Sequence, residues 1–344
     1  MKFLQEEIKK NLIIKPRGIG DIVLSTILLE NLHNYFPGVK IDYLTEPFAK
    51  PAVENNPLVN KVLTIGKKDL PFSVAFRIRK ERYDLIIDAW SNPRTALITF
   101  LSGVKYRVGF AYKGRKYAYN IPATSERGSK QHSAEHNLEL LYALNIPIVS
   151  KNIHYYVEEK EDLKAKKFVK ENFPSNGLII GIIPSGGWES KRCDKEKWVE
   201  ICKAISEKYN CNFLILWGPG DEDDANYIRN ALPQKAILSH ETGIKELAAL
   251  IKNCDLIIAN DSGPMHIAAA LNIPTFGLFG PTNPKEHSPY GDQHEWARLD
   301  ELFCIQCNLL KCPYNHECFK DLPIERVLHK LDKLIKKNSI QLVN

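Results

Sequence analysis

The stretch from residue 256 to residue 283 constrains the fold of this 344-residue chain more than any other segment. Two short apolar runs, at residues 256–259 and 275–279, flank a helix of small residues predicted over residues 265–271. A polar, glycine-containing loop follows each run. This pattern predicts a tight β-α-β unit in a buried parallel sheet.

The loop after the first run carries side chains that suit an anionic ligand. It contains Asp261, Ser262 and Gly263, and His266 follows on the first helical turn. Asp261 and Ser262 are suited to cap the helix, whose free N–H groups favour an anion, typically a phosphate. A lone histidine is more often structural, but the shared edge also favours a phosphate or sugar contact. Because ligands bind at the carboxyl ends of strands in open sheets, we expect a nucleotide-type ligand here.

The same alternation of strands and helices runs through the chain and restarts once. In the first half, strands are predicted at residues 11–15, 39–44, 61–65, 84–88 and 107–110, with helices at 22–35, 73–81, 94–101 and 134–144. In the second half, further strands are predicted at 178–183 and 212–217, with helices at 160–171, 195–208, 244–252 and 324–337. We therefore predict an α/β protein of two doubly wound parallel-sheet domains, residues 1–155 and 156–344, with the final helix packing back on the first domain.

A glycine-rich turn follows the first predicted strand. Gly18 and Gly20 place Asp21 at the start of a helix. A dinucleotide fingerprint needs a third glycine where Val23 stands, and the acidic residue at a suitable distance, Asp42, falls inside a strand, so that match is poor. Asp21 is then either a helix N-cap or a general base that deprotonates a hydroxyl nucleophile.

Two loops in the second half offer further contacts. The loop after residues 178–183 contains Ser185, Gly186, Gly187 and Lys191. Its glycines let the backbone approach a phosphate that Lys191 would neutralise; alternatively it is a flexible loop with an exposed Lys-Arg pair. Beyond the next strand, Glu222 or Asp223 either accepts hydrogen bonds from a ribose or favours the helix dipole.

Basic residues cluster, although the formal net charge is only +6. One group is Arg77, Arg79, Lys80 and Arg82; another is Lys105, Arg107, Lys113, Arg115 and Lys116, interleaved with Tyr106, Tyr112 and Tyr117. These groups are either solvated surface or a surface for a phosphorylated substrate, an acidic membrane or nucleic acid. No apolar run reaches the roughly 20 residues that span a bilayer, and no secretory signal opens the sequence, so we expect a cytoplasmic protein.

Four of the eight cysteines lie within fifteen residues of one another. They are Cys304, Cys307, Cys312 and Cys318. In a cytosolic protein such a cluster indicates metal or redox chemistry rather than a disulfide framework. A structural zinc or iron site is one interpretation; reduced free thiols and a regulatory disulfide are the others.

Five motifs, RGIGD, GGWESKR, WGPGDE, NDSGPMHIAAAL and FGPTNP, resemble in this order the heptosyltransferase family, glycosyltransferase family nine. Its members add heptose to the inner core of bacterial lipopolysaccharide. The resemblance spans residues 11 to about 327. It implies a GT-B fold, in which two Rossmann-like domains face a cleft, the first binding the acceptor and the second the sugar nucleotide. It also implies inverting transfer without a metal or other cofactor.

The resemblance assigns roles to individual residues. Asp21, behind the acceptor-side glycines Gly18 and Gly20, matches the proposed catalytic base, and Lys191 matches a lysine on the donor phosphates. Glu222 or Asp223 matches the ribose-binding acid. The block around the donor diphosphate and sugar is matched by Asp261, Ser262, Gly263 and His266. The chain departs from the family after the Lys-Arg pair, where Cys193-Asp194 replace Trp-Pro.

The partners that this resemblance implies are an ADP-heptose donor, an anionic glycolipid acceptor and the inner face of the inner membrane, where the enzyme would be peripheral. Nucleic acid is not an expected partner. One alternative is a related glycosyltransferase with another sugar nucleotide and a glycan or protein acceptor. More distant alternatives are a nucleotide-binding oxidoreductase and a non-catalytic anion-binding module.

Overall fold

The computed structural model describes residues 7–112, 114–124, 131–174 and 177–342. Lys113 of the second basic group lies outside these residues. The chain divides into two compact units, Met1–Tyr156 and Val157–Asn344, called here the first and the second unit. Within the described ranges, no helix has the length and apolar character needed to cross a bilayer.

The first unit is a doubly wound parallel sheet. Its strands are β1 (Lys10–Ile14), β2 (Lys40–Thr45), β3 (Lys61–Thr64), β4 (Leu85–Asp88), β5 (Tyr106–Phe110) and β6 (Ile121–Ala123). Its helices are α1 (Ile19–Ser25), α2 (Ile27–Tyr35), α3 (Pro71–Glu81), α4 (Pro93–Ser102) and α5 (Ser133–Ala143). The strand order is β3-β2-β1-β4-β5-β6 and the pairings are parallel. The direction in which successive strands are added to the sheet therefore reverses between β1 and β4. Ligands bind at this change of direction in such sheets.

Apolar side chains from the sheet and from α3 and α4 form the core of this unit. Leu12 of β1 and Ile86 of β4 pack with Val74 and Ile78 of α3 and Ile98 of α4, and all five are buried. Burying each such side chain contributes roughly 1.5–3 kcal/mol. This packing fixes the directions of the strands and hence the positions of the loops at their carboxyl ends.

The helix predicted over residues 22–35 is two helices, α1 and α2, separated at Thr26. Ser25 Oγ donates to the Ile22 carbonyl at 2.7 Å and Thr26 Oγ1 donates to the Val23 carbonyl at 2.6 Å. Hydroxyls that bond back to the preceding turn bend helices. The amide N–H of His154 in turn donates to Thr26 Oγ1 at 2.8 Å. The single-helix prediction was wrong because apolar periodicity does not report these hydroxyl contacts.

The second unit repeats the architecture. Its strands are β7 (Leu178–Ile183), β8 (Cys211–Ile215), β9 (Ala236–Leu238), β10 (Leu256–Asn260), β11 (Thr275–Phe279) and β12 (Glu295–Arg298). Its helices are α6 (Glu159–Asn172), α7 (Lys195–Lys208), α8 (Glu222–Ala231), α9 (Ile244–Lys252), α10 (Gly263–Ala270), α11 (Pro284–His287), α12 (Glu317–Lys320) and α13 (Ile324–Lys337). The order β12-β11-β10-β7-β8-β9 places the change of direction between β7 and β10.

The final helix, α13, packs on the sheet of its own unit. Leu331 and Leu334 of α13 are buried in one cluster with Trp198 of α7 and Phe276 of β11. The predicted contact of this helix with the first domain stays a prediction. The α/β class and the two doubly wound parallel sheets are confirmed.

Candidate functional site

The two strands at the change of direction in the second unit carry a buried ion pair at their carboxyl ends. Lys191 lies in a short turn beyond β7, and Asp261 directly follows β10. Lys191 Nζ is 2.7 Å from Asp261 Oδ2, and both side chains are largely shielded from solvent. The same Nζ lies 4.4 Å from the centroid of the Trp188 ring. The structure therefore brings together the two predicted loops, 184–192 and 260–264.

Asp261 is held as an anion despite its burial. Burial alone would raise the pKa of Asp261, but the charges of Lys191 and His266 and a hydrogen bond from Thr282 keep it below the ordinary value. Thr282 Oγ1 donates to Asp261 Oδ2 at 2.7 Å. Thr282 belongs to the loop after β11, which the sequence pattern identified as a turn without assigning it a contact.

The first turn of α10 begins at the same edge and has no side-chain cap. Ser262 is the N-cap residue, but it makes no side-chain cap, and its buried hydroxyl has no hydrogen-bond partner among the described residues. The Asp261 carboxylate bonds to Lys191 and Thr282 instead. Neither side chain caps the helix, so the prediction that Asp261 and Ser262 are caps was wrong. The N–H groups of the first turn remain suited to an anion, and His266 is buried on that turn.

The loop after β7 is held by its own side chains. Arg192 Nε donates to the Gly186 carbonyl at 3.0 Å, and Arg192 Nη1 lies 3.0 Å from Asp221 Oδ1. Gly187 is exposed, and a Cβ built on it meets no described atom within 4 Å. Ser185 stands between β7 and this turn. The backbone at Gly187 is therefore accessible to a ligand at the sheet edge, whereas Gly186 is buried against Arg192.

The predicted ribose-binding acids, Glu222 and Asp223, lie exposed on the first turn of α8. The preceding residue, Asp221, is the N-cap residue and forms the ion pair with Arg192. Burial raises the pKa of Asp221, an effect that Arg192 opposes. Arg192 and Asp221 stand in two separate motifs, GGWESKR and WGPGDE, and nothing in the sequence indicates that they pair.

Asp21 lies at the corresponding edge of the first unit. The N-cap of α1 is Gly18, with φ 80°, so Asp21 stands in the first helical turn rather than at the N-cap. A Cβ on Gly18 would lie 2.3 Å from Asp21 Oδ2. The N-cap alternative was therefore wrong. Gly20 is a buried residue within the same turn, and the Asp21 side chain keeps 47% of its surface exposed.

A buried lysine stands behind Asp21. Lys15 Nζ lies 3.9 Å from Asp21 Oδ1 and donates to the Ala89 carbonyl at 3.1 Å, in the loop after β4. Burial lowers the pKa of Lys15, while the charges of Asp21 and Asp88 oppose that shift. Asp88 is itself buried and accepts hydrogen bonds from the Ser91 N–H at 2.8 Å and the Tyr119 hydroxyl at 2.8 Å. In the sequence pattern, Lys15 and Asp88 are only the last residues of two predicted strands.

Asp42 is buried within β2, as predicted. It accepts hydrogen bonds from Asn60 Nδ2 and from the Tyr83 hydroxyl, both at 2.7 Å. Its oxygens are therefore engaged inside the unit, which counts against a dinucleotide ribose at this position.

The four clustered cysteines line one small cavity of about 20 Å³ together with Ser190, Gly280 and Pro281. Cys312 Sγ accepts backbone N–H groups from Tyr314 at 3.4 Å and His316 at 3.3 Å. Within the part of the chain that the structure describes, no group of three or more His, Cys, Asp or Glu side chains is arranged to hold a metal ion. The thiols converge on one cavity, but their present rotamers do not form a ligand set.

The cysteine segment, residues 304–318, touches the turn that carries Lys191 and the loop that carries Thr282. On the side of Lys191, Ser190 Oγ donates to the Leu309 carbonyl at 2.5 Å, and the Cys312 N–H donates to Glu189 Oε2 at 3.0 Å. On the side of Thr282, the Asn308 N–H donates to the Pro281 carbonyl at 2.9 Å. The segment therefore joins the turn that carries Lys191 to the loop that carries Thr282.

Comparison with known proteins identifies the family. The family model of glycosyltransferase family 9 (heptosyltransferase) matches residues 72–316. The chain is 28% identical over 350 residues to lipooligosaccharide heptosyltransferase 2 of Haemophilus influenzae. The alignment covers 95% of this chain and 99% of that relative.

Solved structures share the fold. The glycosyl transferase family 9 structure from Veillonella parvula superposes with a TM-score of 0.82 at 20% identity, over 97% of this chain and 99% of that one. The E. coli ADP-heptose lps heptosyltransferase II superposes with a TM-score of 0.78 at 23% identity, over 96% and 99%. The resemblance inferred from the five motifs is thereby confirmed. The chain belongs to glycosyltransferase family 9, the heptosyltransferase family, and is a glycosyltransferase.

Proposed function

We propose that the protein transfers a heptose from ADP-heptose to a hydroxyl of a lipopolysaccharide inner-core acceptor, with inversion at the anomeric carbon. The observation that carries this proposal is the buried Lys191–Asp261 pair beside the uncapped first turn of α10. Family membership and the names of the relative from Haemophilus influenzae and the neighbour from E. coli support the heptose, the lipopolysaccharide and the ADP.

The second unit binds the donor. Lys191 and the N–H groups at Ser262 and Gly263 contact the diphosphate, with the backbone of Ser185–Gly187 closing over it. His266, on the same turn, contacts the diphosphate or the sugar. Glu222 or Asp223 accepts hydrogen bonds from the ribose, because both are exposed on the first turn of α8 at the same sheet edge.

The first unit supplies the base. Asp21 takes the proton of the acceptor hydroxyl, whose oxygen forms a bond to the anomeric carbon of the heptose. The bond from that carbon to the phosphate oxygen breaks, and its electron pair leaves with ADP. Gly18 and Gly20 form the tight turn before Asp21, on the side from which the acceptor approaches. Lys15 holds a positive charge behind the carboxylate.

The departing ADP gains negative charge as the bond to the sugar breaks. Lys191 and the α10 N-terminus supply fixed positive charge where this develops, and such preorganised groups stabilise a transition state without reorganisation. The transfer step therefore proceeds without a metal at the reacting atoms.

A donor panel tests the proposal. The purified chain is titrated with ADP-, GDP- and UDP-sugars while its thermal unfolding is followed, because a ligand that binds the folded state raises the midpoint by mass action. ADP-heptose is expected to raise it most and to release ADP when an inner-core acceptor is added. If another nucleotide sugar protects and ADP-heptose does not, the related transferase with a different donor is correct. Protection by NAD(P)H alone would establish the oxidoreductase instead.

We also propose that the four clustered cysteines bind one structural zinc or iron ion, away from the transfer chemistry. The convergence of the four thiols on one cavity supports this. Binding requires the thiols to rotate towards the cavity centre, since zinc–sulfur bonds are about 2.3 Å long.

Elemental analysis of the purified protein tests this site. We expect about one metal ion per chain in the unaltered protein and none in Cys304→Ser/Cys307→Ser, with Cys202→Ser, a buried cysteine of α7, as the control. Metal-free protein with four titratable thiols in this segment would overturn the proposal.

Because the proposed acceptor is an anionic glycolipid, the enzyme acts at the cytoplasmic face of the inner membrane as a peripheral protein. The clustered basic residues of the first unit support this location, since acidic lipids attract them.

A further inference from the structure

Helix α3 displays large apolar side chains to solvent. Phe72 and Phe76 retain 69% and 58% of their surface, and Leu70, directly before the helix, retains 69%. Phe72 and Phe76 are four residues apart and therefore share one helix face. We call Leu70, Phe72 and Phe76 the aromatic face of α3. The opposite side of the helix is packed in the core through Val74 and Ile78.

Basic residues surround this face. Residues 67–82 contain six basic and two acidic residues. Both acids are already paired: Asp69 with Arg77 at 3.2 Å, and Glu81 with Lys10 and Lys61, each at 2.7 Å. Lys67, Lys68 and Lys80 are exposed, and Lys80 Nζ lies 4.6 Å from the centroid of the Phe76 ring. The surface thus combines apolar rings with positive charge.

The face is held rigidly by the rest of the unit. Arg94 Nη2 donates to the carbonyls of Gly66 and Asp69, both at 2.6 Å. The Gly66 N–H donates to Asp69 Oδ2 at 3.0 Å. Pro71 fixes the entry into the helix. The exposed rings therefore belong to an ordered surface, and their exposure does not result from a loose loop.

The second basic group of the sequence does not offer an equivalent surface. Lys105 Nζ pairs with Glu7 at 2.9 Å, and Arg107 donates to the carbonyls of Ala118 and Val104 at 3.0 and 2.6 Å. Two of its cations are thus engaged within the unit. Tyr117, 51% exposed, and Phe100, 47% exposed, also lie beside this group, so the surface next to α3 is distinguished by its larger share of exposed cations and not by exposed rings alone.

The aromatic face also lies towards the functional edge of its sheet. Leu70 and the first turn of α3 follow the carboxyl end of β3, and Asp21 follows the carboxyl end of β1. Because β1, β2 and β3 pair in parallel, these carboxyl ends lie at one edge. A bilayer in contact with Leu70 and Phe72 would face the edge that carries Asp21.

We propose that the aromatic face of α3 docks the protein on a bilayer of anionic phospholipid. Leu70, Phe72 and Phe76 enter the boundary between headgroups and acyl chains, while Lys67, Lys68 and Lys80 contact lipid phosphates. The inference rests on the proposed function in one respect, since a membrane-embedded glycolipid acceptor gives the docking its purpose.

Flotation with vesicles that contain neither donor nor acceptor tests the docking alone. The unaltered protein is expected to float with vesicles of phosphatidylglycerol and phosphatidylcholine, and not with phosphatidylcholine alone. Phe72→Gln/Phe76→Gln should weaken the partition coefficient by about tenfold or more. Lys67→Gln/Lys68→Gln should weaken it roughly fivefold for each lysine and remove much of the salt dependence.

Phe303→Gln is the matched control, because Phe303 is a phenylalanine of the second unit that is 79% exposed. It should float like the unaltered protein. Circular dichroism checks that all variants are folded. Flotation of the two α3 variants at the unaltered level would overturn the proposal, as would an unaltered protein that ignores anionic vesicles.

A second copy of the chain is the competing occupant of this face. A dimer in sedimentation velocity that Phe72→Gln/Phe76→Gln dissociates, without any vesicle binding, would assign the face to self-association and overturn the proposal. Transfer to a delipidated acceptor is measured separately. If the protein floats with the vesicles but transfers no heptose, the docking proposal stands and the proposed function fails. If it transfers heptose but does not float, only the docking proposal fails.

Discussion

Lys191 Nζ and Asp261 Oδ2 lie 2.7 Å apart at the carboxyl ends of β7 and β10, shielded from solvent on the two strands where the sheet changes direction. The lysine proposed to bind the donor diphosphate is therefore already oriented before a ligand arrives. Asp261 acts as its partner, and Thr282 holds Asp261 in turn. A buried pair of this kind fixes geometry more than it adds stability.

Replacement of Lys191 by methionine should weaken ADP binding about ten- to a hundredfold. A hydrogen bond to a charged group contributes about 1.5–3 kcal/mol, which methionine cannot supply. Isothermal titration calorimetry with ADP measures the effect. Lys203→Met, on the exposed side of α7, is the matched control and should bind ADP normally. Unchanged affinity in Lys191→Met would remove the lysine from the donor site.

Asp261 should make stability depend on pH in the acidic range. Its folded pKa lies below 3.8, the ordinary value of an aspartate, so the folded state binds fewer protons than the unfolded state near that pH. The stabilisation is present above about pH 4 and is lost as the pH falls through the folded pKa.

Thermal midpoints between about pH 6 and about pH 3 check this contribution. The unaltered protein should lose more stability over this range than Asp261→Asn, whereas Asp292→Asn, at an exposed aspartate, should follow the unaltered protein. Parallel pH curves for Asp261→Asn and the unaltered protein would contradict the assignment.

Asp21→Ala should reduce heptose transfer by about 10²- to 10⁴-fold, the usual contribution of a general base. Because the donor is proposed to bind the second unit, ADP affinity should stay within about twofold of the unaltered value. Single-turnover transfer and calorimetry give the two quantities. Full transfer activity in this variant would exclude Asp21 as the base.

Gly18→Ala should lower transfer through Asp21. The substitution places a Cβ 2.3 Å from Asp21 Oδ2 and forces alanine to adopt φ 80°. The backbone strain of a non-glycine residue in such a sparsely populated conformation costs about 1–3 kcal/mol. Gly38→Ala separates the two effects, because Gly38 has φ 76° but a Cβ there meets no described atom within 4 Å. Both variants should lose similar stability, and only Gly18→Ala should lose transfer rate; equal rates would show that the contact with Asp21 has no role.

The sequence predicts long and buried elements accurately. The bounds of β7, β11, α7, α9 and α13 agree with those predicted, because their apolar patterns end at glycine, proline or charged residues. The short edge strands β6, β9 and β12 were missed. They pair on one side only, and β6 contains Pro122 while β12 carries Glu295 and Arg298, so neither length nor hydrophobic pattern marks them.

The sequence predicts which loops form the candidate site, but it does not predict the contacts between their side chains. Parallel strands bring their carboxyl ends together, so Lys191 and Asp261 were expected at one edge. The partners Thr282, Lys15 and Asp221 were not, because their bonds depend on how neighbouring loops pack. Hydroxyl and carboxylate side chains of this kind leave no periodic signal in a sequence.

The cysteine segment gives this enzyme a point of chemical intervention outside the nucleotide pocket. Cys312 holds Glu189 through its backbone, and Glu189 begins the turn that ends in Lys191. Once the proposed metal ion has been removed, an electrophile that alkylates Cys312 adds bulk beside that turn without resembling either substrate. A covalent inhibitor selected at this thiol would therefore act against saturating donor, and family members without the cysteine would escape it.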